Sequence, residues 1–201
     1  NGIEIIFLDE YLEQSPLEKS KYLLVFGRLL GPEEASVVRF NEIQSSYDSL
    51  KEIEQKGQYK PVVLANEMYG NQWFLPGGKT NLATLIADAN AKYINAENSD
   101  SKAVPLSFEE VFAKSQNAEF WVNVGNHQFK KELLQINPNY TKMNVYHHGK
   151  LYTVSGREKG SANDFFESGV VRSDLILKDY IKIFHPELLP DYNLTYLKPL
   201  K

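Results

Sequence analysis

Gly78-Lys79-Thr80 stands between an apolar run, Pro61-Val62-Val63-Leu64-Ala65, and an amphipathic stretch carrying Leu82, Leu85, Ile86 and Ala89. A strand, a glycine pair, a lysine and a hydroxyl before a helix are parts of a phosphate-binding loop. That loop also needs a glycine five residues before the Gly-Lys-Thr glycine, where the backbone folds into an anion nest. The position holds Trp73, whose indole is incompatible with the nest. The four histidines, His127, His147, His148 and His185, show no His-Glu-x-x-His spacing. His147 and His148 fall at an expected hairpin turn, where neighbouring side chains point to opposite faces. No Gly-x-Ser-x-Gly nucleophile turn is present. Glu109 and Glu110 follow Ser107 as parts of a helix cap. No catalytic constellation emerges.

The aromatic residues carry more information: 12 Tyr, 11 Phe and 2 Trp. Tyr69, Trp73 and Phe74 follow the apolar run, and Asn123 and His127 follow a second one, Phe120 to Val124. In open parallel sheets ligands bind beyond the carboxyl ends of the strands. Trp and Tyr offer rigid apolar faces with a polar tip, which suits a large, partly polar ligand. Trp121, inside a strand, reads as core. Trp73, in a loop beside Pro76-Gly77-Gly78, reads as a ligand contact. Arg157 sits in the polar segment Ser155 to Asp164 and has two readings, a partner for an anionic ligand group or a solvated surface residue.

The elements that position these residues alternate. Ile3 to Leu8 reads as a short buried strand. Ser15-Pro16-Leu17-Glu18 opens a helix to about Leu30, which Gly31-Pro32 breaks. A longer helix follows to about Gln55, with Phe40, Ile43, Tyr47, Leu50 and Ile53 on one stripe, and Gly57 ends it. Beyond Pro61 come a strand (62–65), the aromatic loop, a helix (81–90) and a short strand (92–95). A capped helix (107–115), a strand (120–124) and a short helix (130–134) continue the series. Val145 to Val154 reads as two extended segments around a His-Gly turn, Ser168 to Phe184 as the last helix, and the tail as irregular. Repeated βα units imply an α/β fold: a three-layer, Rossmann-like lobe with a mainly parallel sheet, preceded by a long connector helix.

The composition is that of an ordinary globular chain: 42% hydrophobic, 24% charged, net charge −4. No basic run favours nucleic acid. Without cysteine there are no disulfides and no thiolate metal site, which leaves the compartment open. No stretch approaches the ~18 apolar residues of a membrane span. Asn1 leads almost directly into an apolar run with no visible signal segment, which reads as a piece cut from a longer chain.

Three segments taken together resemble a known family. They are Ser15-Pro16-Leu17-Glu18 before a long helix, Trp73-Phe74-Leu75-Pro76-Gly77-Gly78-Lys79-Thr80 into Ala87-Asp88-Ala89-Asn90-Ala91, and Phe165-Phe166-Glu167-Ser168-Gly169-Val170-Val171-Arg172-Ser173-Asp174 into Ile183-Phe184-His185-Pro186-Glu187. Their order and spacing resemble the periplasmic substrate-binding proteins of iron-siderophore, haem and cobalamin ABC importers, most nearly the Bacteroidetes versions. The resemblance implies two α/β lobes joined by a long helix, with the ligand between them. Residues 1–57 then match the end of the first lobe plus the connector, and 58–201 the second lobe.

The resemblance implies a receptor, not an enzyme, that hands an iron chelate, haem or corrinoid to membrane permease subunits. No cofactor of its own is implied, the ligand bringing its Fe or Co. Location is expected to be periplasmic, with a lipid anchor on a missing N-terminal segment. Tyr69, Trp73, Phe74, Pro76, Gly77 and Gly78 match the cleft-facing loop, with Asn123, His127 and Arg157 near the mouth. Glu167 matches a rim carboxylate that docks onto permease arginines, and it also reads as a helix-dipole partner. Ala89-Asn90-Ala91 stands where the family often has glycine, and Asn tolerates the left-handed turn. Two alternatives are a Zn or Mn receptor of the same fold, against which the scattered histidines argue, and a nucleotide-binding α/β enzyme. An enzyme lobe of the nitrogenase-component type would need cysteines for its cluster.

Overall fold

The computed structural model describes residues 5–54 and 59–201. Its centre is a five-stranded sheet in the order β10-β7-β6-β1-β4: β1 Val62–Ala65, β4 Lys92–Tyr93, β6 Phe120–Val124 and β7 Lys150–Thr153 run parallel, and β10 Lys198–Pro199 closes one edge antiparallel. The chain leaves β1 first for β4 on one side and later for β6 on the other. The strand order therefore reverses between β1 and β6, the place where open α/β sheets form a crevice.

Successive residues of β6 point to opposite faces and define the layers. Phe120 meets Phe184 of α8 (Ser173–Phe184) edge-on at 5.2 Å, and α8 packs with α3 (Glu33–Glu54) and α4 (Asn81–Asp88) on that face. Trp121 points the other way, stacking on Trp73 at 5.5 Å and meeting the edge of Tyr140 at 5.1 Å. Trp73 belongs to a second, antiparallel sheet of β2 (Met68–Tyr69), β3 (Gln72–Pro76) and β5 (Ala103–Leu106), which covers this face with the short helices around Tyr140. The expected three-layer α/β lobe with a mainly parallel sheet is what the chain forms.

Several local expectations are corrected. Residues 5–8 form no strand, and Ile5, Ile6 and Phe7 stand exposed, with no strand among the described residues pairing with them; residues 3 and 4 lie outside the described residues. The first helix divides at Lys21 into α1 (Pro16–Ser20) and α2 (Tyr22–Leu30), and Gly31, at φ +99°, ends α2. The expected helix stop at Gly57 lies outside the described residues. The aromatic loop is β2 and β3, because Trp73, Phe74, Leu75 and Pro76 find Leu106, Pro105, Val104 and Ala103 as partners in β5. His147 and His148 end a short helix, α7 (Asn144–His148), which buries Val145 and Tyr146 together. Ser168–Val171 is a 3-10 turn ahead of α8. The expected helix over 107–115 is α5 (Phe108–Lys114) under a Ser107–Glu110 capping box, and Leu133–Ile136 is α6. Asn90 turns left-handed at φ +51°, as the Ala89-Asn90-Ala91 reading required.

Candidate functional site

The carboxyl ends of β1 and β6 are built alike. Asn66 follows β1 at φ +59°, and Asn123 sits in β6 at φ +53°, within the irregular register between Trp121 and Val124. Left-handed backbone and a bulge both re-aim side chains out of a ladder. The side chain of Asn66 donates to the carbonyl of Phe74 at 3.1 Å, and the Oδ1 of Asn123 accepts from the Tyr180 hydroxyl at 2.7 Å. Each strand end is thus tied by an amide of fixed orientation, one to the antiparallel sheet and one to α8.

The aromatic trio of Trp73, Trp121 and Tyr140 holds the loop after β1. The Trp73 indole N–H donates to the Ala65 carbonyl at 3.0 Å, and the Trp121 indole N–H to the Asn66 carbonyl at 2.6 Å. The Tyr140 hydroxyl accepts the backbone N–H of Met68 at 2.9 Å. Burial raises the Tyr140 pKa well above the ordinary phenol value, so the hydroxyl stays neutral. Backbone groups released where the strand ends are satisfied by rings that also fill the core.

The loop after β6 adds a clamped imidazole. His127 Nε2 lies 2.9 Å from Glu67 Oε2, and Nδ1 lies 3.8 Å from Glu132 Oε2. Gly125 makes this approach feasible, since a Cβ there would stand 2.2 Å from the Glu67 carboxylate. From here contacts lead on to a small hairpin. Asn126 hydrogen-bonds Glu158 of a small hairpin, β8 (Glu158–Lys159) and β9 (Ala162–Asn163). Beside it Arg157 pairs with Asp164 at 2.9 Å and lies over the Tyr196 ring at 5.7 Å. The hydrogen bond from Ser168 and the Arg157 charge hold the Asp164 pKa below its ordinary value.

The residues singled out from the sequence divide into two groups. Asn123, His127 and Arg157 belong to the loops around the end of β6, through the Glu67–His127 pair and the Asn126–Glu158 bond, and the Phe74 carbonyl is held by Asn66; Tyr69 and Phe74 stand on the outer side of the antiparallel sheet, 82% and 40% exposed. Glu167 is exposed at the outer end, where it shares a shallow depression with Arg157 and Asp164. Trp73, Pro76 and Gly77 do not face outward. Trp73 is 0% exposed, which corrects its reading as a ligand contact: in a strand beside β5 its side chain takes the inward face. Gly77, Gly78 and Lys79 donate their N–H groups to the carbonyls of Lys102, Asn98 and Asp100. A Cβ on Gly77 or Gly78 would sit 2.2 Å from the Asp100 or Ala96 carbonyl oxygen. These glycines admit a neighbouring backbone, and their N–H groups are not available to an anion.

Asn66, Glu67, Glu132 and the 66% exposed Phe166 belong to this surface and escaped the sequence reading. The signal for the first two was present, an Asn-Glu pair directly after a strand at a switch point. The remaining histidines lie elsewhere: His147 Nε2 is 2.6 Å from the Thr141 carbonyl, His148 borders Glu119 and Gly149 at the opposite end of β6, and His185 is buried against the Asn90 carbonyl.

Comparison with known proteins agrees with this architecture. A family model described as periplasmic binding protein matches residues 14–157. A lipoprotein of Methanocaldococcus jannaschii, itself uncharacterized, is 21% identical over 92% of this chain and 43% of its own length. Among solved structures, a protein of Staphylococcus epidermidis described as a possible iron-binding (periplasmic solute-binding) protein superposes with TM-score 0.64 at 17% identity, covering 86% of this chain and 64% of its own. A periplasmic haem-binding protein of Pseudomonas aeruginosa superposes with TM-score 0.65 at 16% identity, covering 92% and 65%. The chain therefore spans less than two thirds of each of these relatives. The match over residues 14–157, on a mainly parallel sheet with a switch point between β1 and β6, places the chain in the periplasmic binding protein family.

Proposed function

We propose that the chain is the connector and second lobe of an ABC importer's substrate-binding protein. In this reading residues 1–57 end the first lobe and connect, and residues 58–201 form the second lobe. The lobe presents its sheet's carboxyl end to a large ligand, an iron chelate, haem or a corrinoid, and hands it to the permease. The observation that carries this is the set of surface groups that follow β1 and β6: the exposed Tyr69 and Phe74, the Glu67–His127 pair and the Arg157–Asp164 pair, on a lobe whose core of Trp73, Trp121 and Tyr140 keeps them in place. A preorganised wall loses little ordering entropy on meeting a rigid ligand. The iron-binding and haem-binding descriptions of the two solved relatives favour the same ligand class. Docking through Glu167, and an extracytoplasmic location with a lipid anchor like that named for the archaeal relative, belong to this proposal.

A Zn or Mn receptor is less favoured, because Glu67 and Glu132 approach opposite nitrogens of one ring and so do not converge on one ion. A nucleotide enzyme is less favoured because the N–H groups of residues 77–79 are spent on carbonyls.

The test is a titration of haem, a corrinoid and a panel of ferric chelates into the full-length protein, read by tryptophan emission. One ligand is expected to quench saturably, with weaker binding in Tyr69→Ala and Phe74→Ala. No quenching by any of them, with stability raised instead by Zn²⁺ or Mg-ATP, overturns the proposal.

A further inference from the structure

Beside the crevice lies a cavity of about 180 Å³ to which, of the candidate ligand-binding residues, only Asn123 contributes. It opens between α1, α4, the start of α8 and the 3-10 turns at Asp164–Val171. Its walls are Leu82, Leu85, Phe165, Val170 and Ile176, and Asn123 and Tyr180 border it. An engineered cavity of roughly 150 Å³ accepts benzene, so this space suits a single ring or a short acyl chain.

Polarity narrows the occupant. Among the described residues that line the cavity, Lys19 is the one charged side chain and there is no carboxylate. Lys19 has no ion pair or hydrogen-bond partner among the described residues, whereas Lys21 nearby is bonded to Glu18 at 2.6 Å. The position of Lys19 is fixed from below: Ser20, fully buried, hydrogen-bonds the Ser173 hydroxyl at 2.7 Å and ties α1 to α8. The Tyr180 hydroxyl occupies Asn123 Oδ1. The Nδ2 protons of Asn123 find no acceptor among the described residues, which leaves two amide donors for an incoming oxygen. A largely apolar chamber with one unpaired cation, the side-chain amides of Asn81 and Asn123 and no carboxylate among its described lining is complementary to an apolar group with an anionic oxygen.

We infer that this cavity is a subsite for an aryl or short acyl arm ending in a carboxylate or phenolate, carried by the ligand whose body rests on the Tyr69–Phe74 side. The inference rests on reading this end of the sheet as the ligand side. It narrows the ligand class to chelates or tetrapyrroles with acidic side arms.

The test uses one-ring probes, so that its outcome separates from that of the large-ligand titration. Benzoate, hexanoate and neutral benzamide are titrated into full-length protein carrying ¹³C-labelled Leu, Val and Ile methyls. Benzoate is expected to shift Leu85, Val170 and Ile176 saturably, and to bind about three- to tenfold more tightly than benzamide, the span of a single charge-assisted contact at a partly exposed site. Lys19→Gln is expected to reduce that preference below about twofold, and Val170→Phe to abolish the shifts by filling the chamber. Equal affinity for benzoate and benzamide, or no saturable shift at these methyls, overturns the inference. Should Val170→Phe fail to fold, the Lys19→Gln comparison decides alone. A cavity that refuses the probes while haem or a ferric chelate still quenches tryptophan sinks the subsite and leaves the receptor reading standing.

Discussion

Trp73 and Trp121 stack at 5.5 Å, one from each sheet, while their N–H groups donate to the successive carbonyls of Ala65 and Asn66. This pair joins the antiparallel layer to the parallel one and holds the loop that leads to Glu67. Trp73→Ala removes a fully buried indole and is expected to cost ~3–5 kcal/mol of stability. Trp73→Phe, which loses the N–H bond and part of the ring, is expected to cost less. Urea unfolding followed by far-UV circular dichroism measures both. A Trp73→Ala loss below ~1 kcal/mol would show that the layers do not depend on the stack.

The glycines of the aromatic segment give a second prediction. Gly78→Ala would put a Cβ 2.2 Å from the Ala96 carbonyl oxygen and 2.4 Å from that of Asn98, both backbone atoms. Overpacking of this kind costs ~1–3 kcal/mol or more. Gly70, at the tip of the β2–β3 hairpin with φ +61°, has nothing within 4 Å of its ideal Cβ. Gly70→Asn, which tolerates that φ, is expected to change stability by less than about 1 kcal/mol. Paired melting curves check the contrast, and a harmless Gly78→Ala would contradict the close-approach role.

How much of this was legible in the sequence follows from the range of the interactions. The capping box at Ser107–Glu110, the turn at Asn90 and the βα alternation are set within a few residues, and they form as read. The orientation of Trp73 is set by β5, some thirty residues on, which the sequence reading did not identify as a strand. Without that partner an aromatic run beside Pro-Gly-Gly reads as a loop, and its tryptophan as exposed. Residues 145–148 failed for a similar reason: the helical turn forms because Val145 and Tyr146 are buried together, a tertiary demand that overrides the extended pattern. The Glu67–His127 pair spans 60 positions and leaves no local trace.

Asp164 sets a pH dependence. Its carboxylate accepts from the Ser168 N–H at 3.2 Å and pairs with Arg157, and its pKa is lowered, first by Ser168 and also by the arginine. A group with a lowered folded pKa contributes its stabilisation above its unfolded value, and loses it as pH falls through the folded one. The Arg157–Asp164 link is therefore intact at neutral pH and is expected to open only below the ordinary aspartate range, under about pH 4. The Asp164 carboxyl ¹³C resonance, followed from pH 7 to 2, is expected to titrate below ~3.9. In Arg157→Gln the midpoint is expected to rise. A wild-type midpoint above the ordinary value contradicts the link.

Tyr69 and Phe74 separate binding from folding. At 82% and 40% exposure they contribute little to the core, so Tyr69→Ala is expected to leave stability within ~0.5 kcal/mol. An aromatic contact with a flat ligand is worth ~0.5–1.5 kcal/mol, or roughly two- to twelvefold in affinity. Each alanine variant is expected to weaken binding of the large ligand by about that factor, and the pair by close to the product if the rings act independently. Unchanged affinity in the double variant would move the ligand off this face.

Glu167 tests delivery apart from capture. It is exposed, follows the exposed Phe166, and makes no ion pair among the described residues, since Arg157 beside it is engaged by Asp164. Its N–H bonds the Asp164 carbonyl at 3.2 Å, which fixes the backbone while the carboxylate projects from the rim. A carboxylate held this way suits bidentate pairing with an arginine of a partner. Glu167→Gln removes the charge and keeps the shape. Ligand affinity in solution is expected to stay unchanged, while uptake reconstituted with the cognate permease in proteoliposomes falls several-fold and stimulation of its ATPase weakens. If Glu167 acts only on the dipole of the turn it precedes, stability drops slightly and uptake does not. Unchanged uptake together with unchanged ATPase stimulation would therefore remove Glu167 from the docking surface and return it to the helix-terminus role.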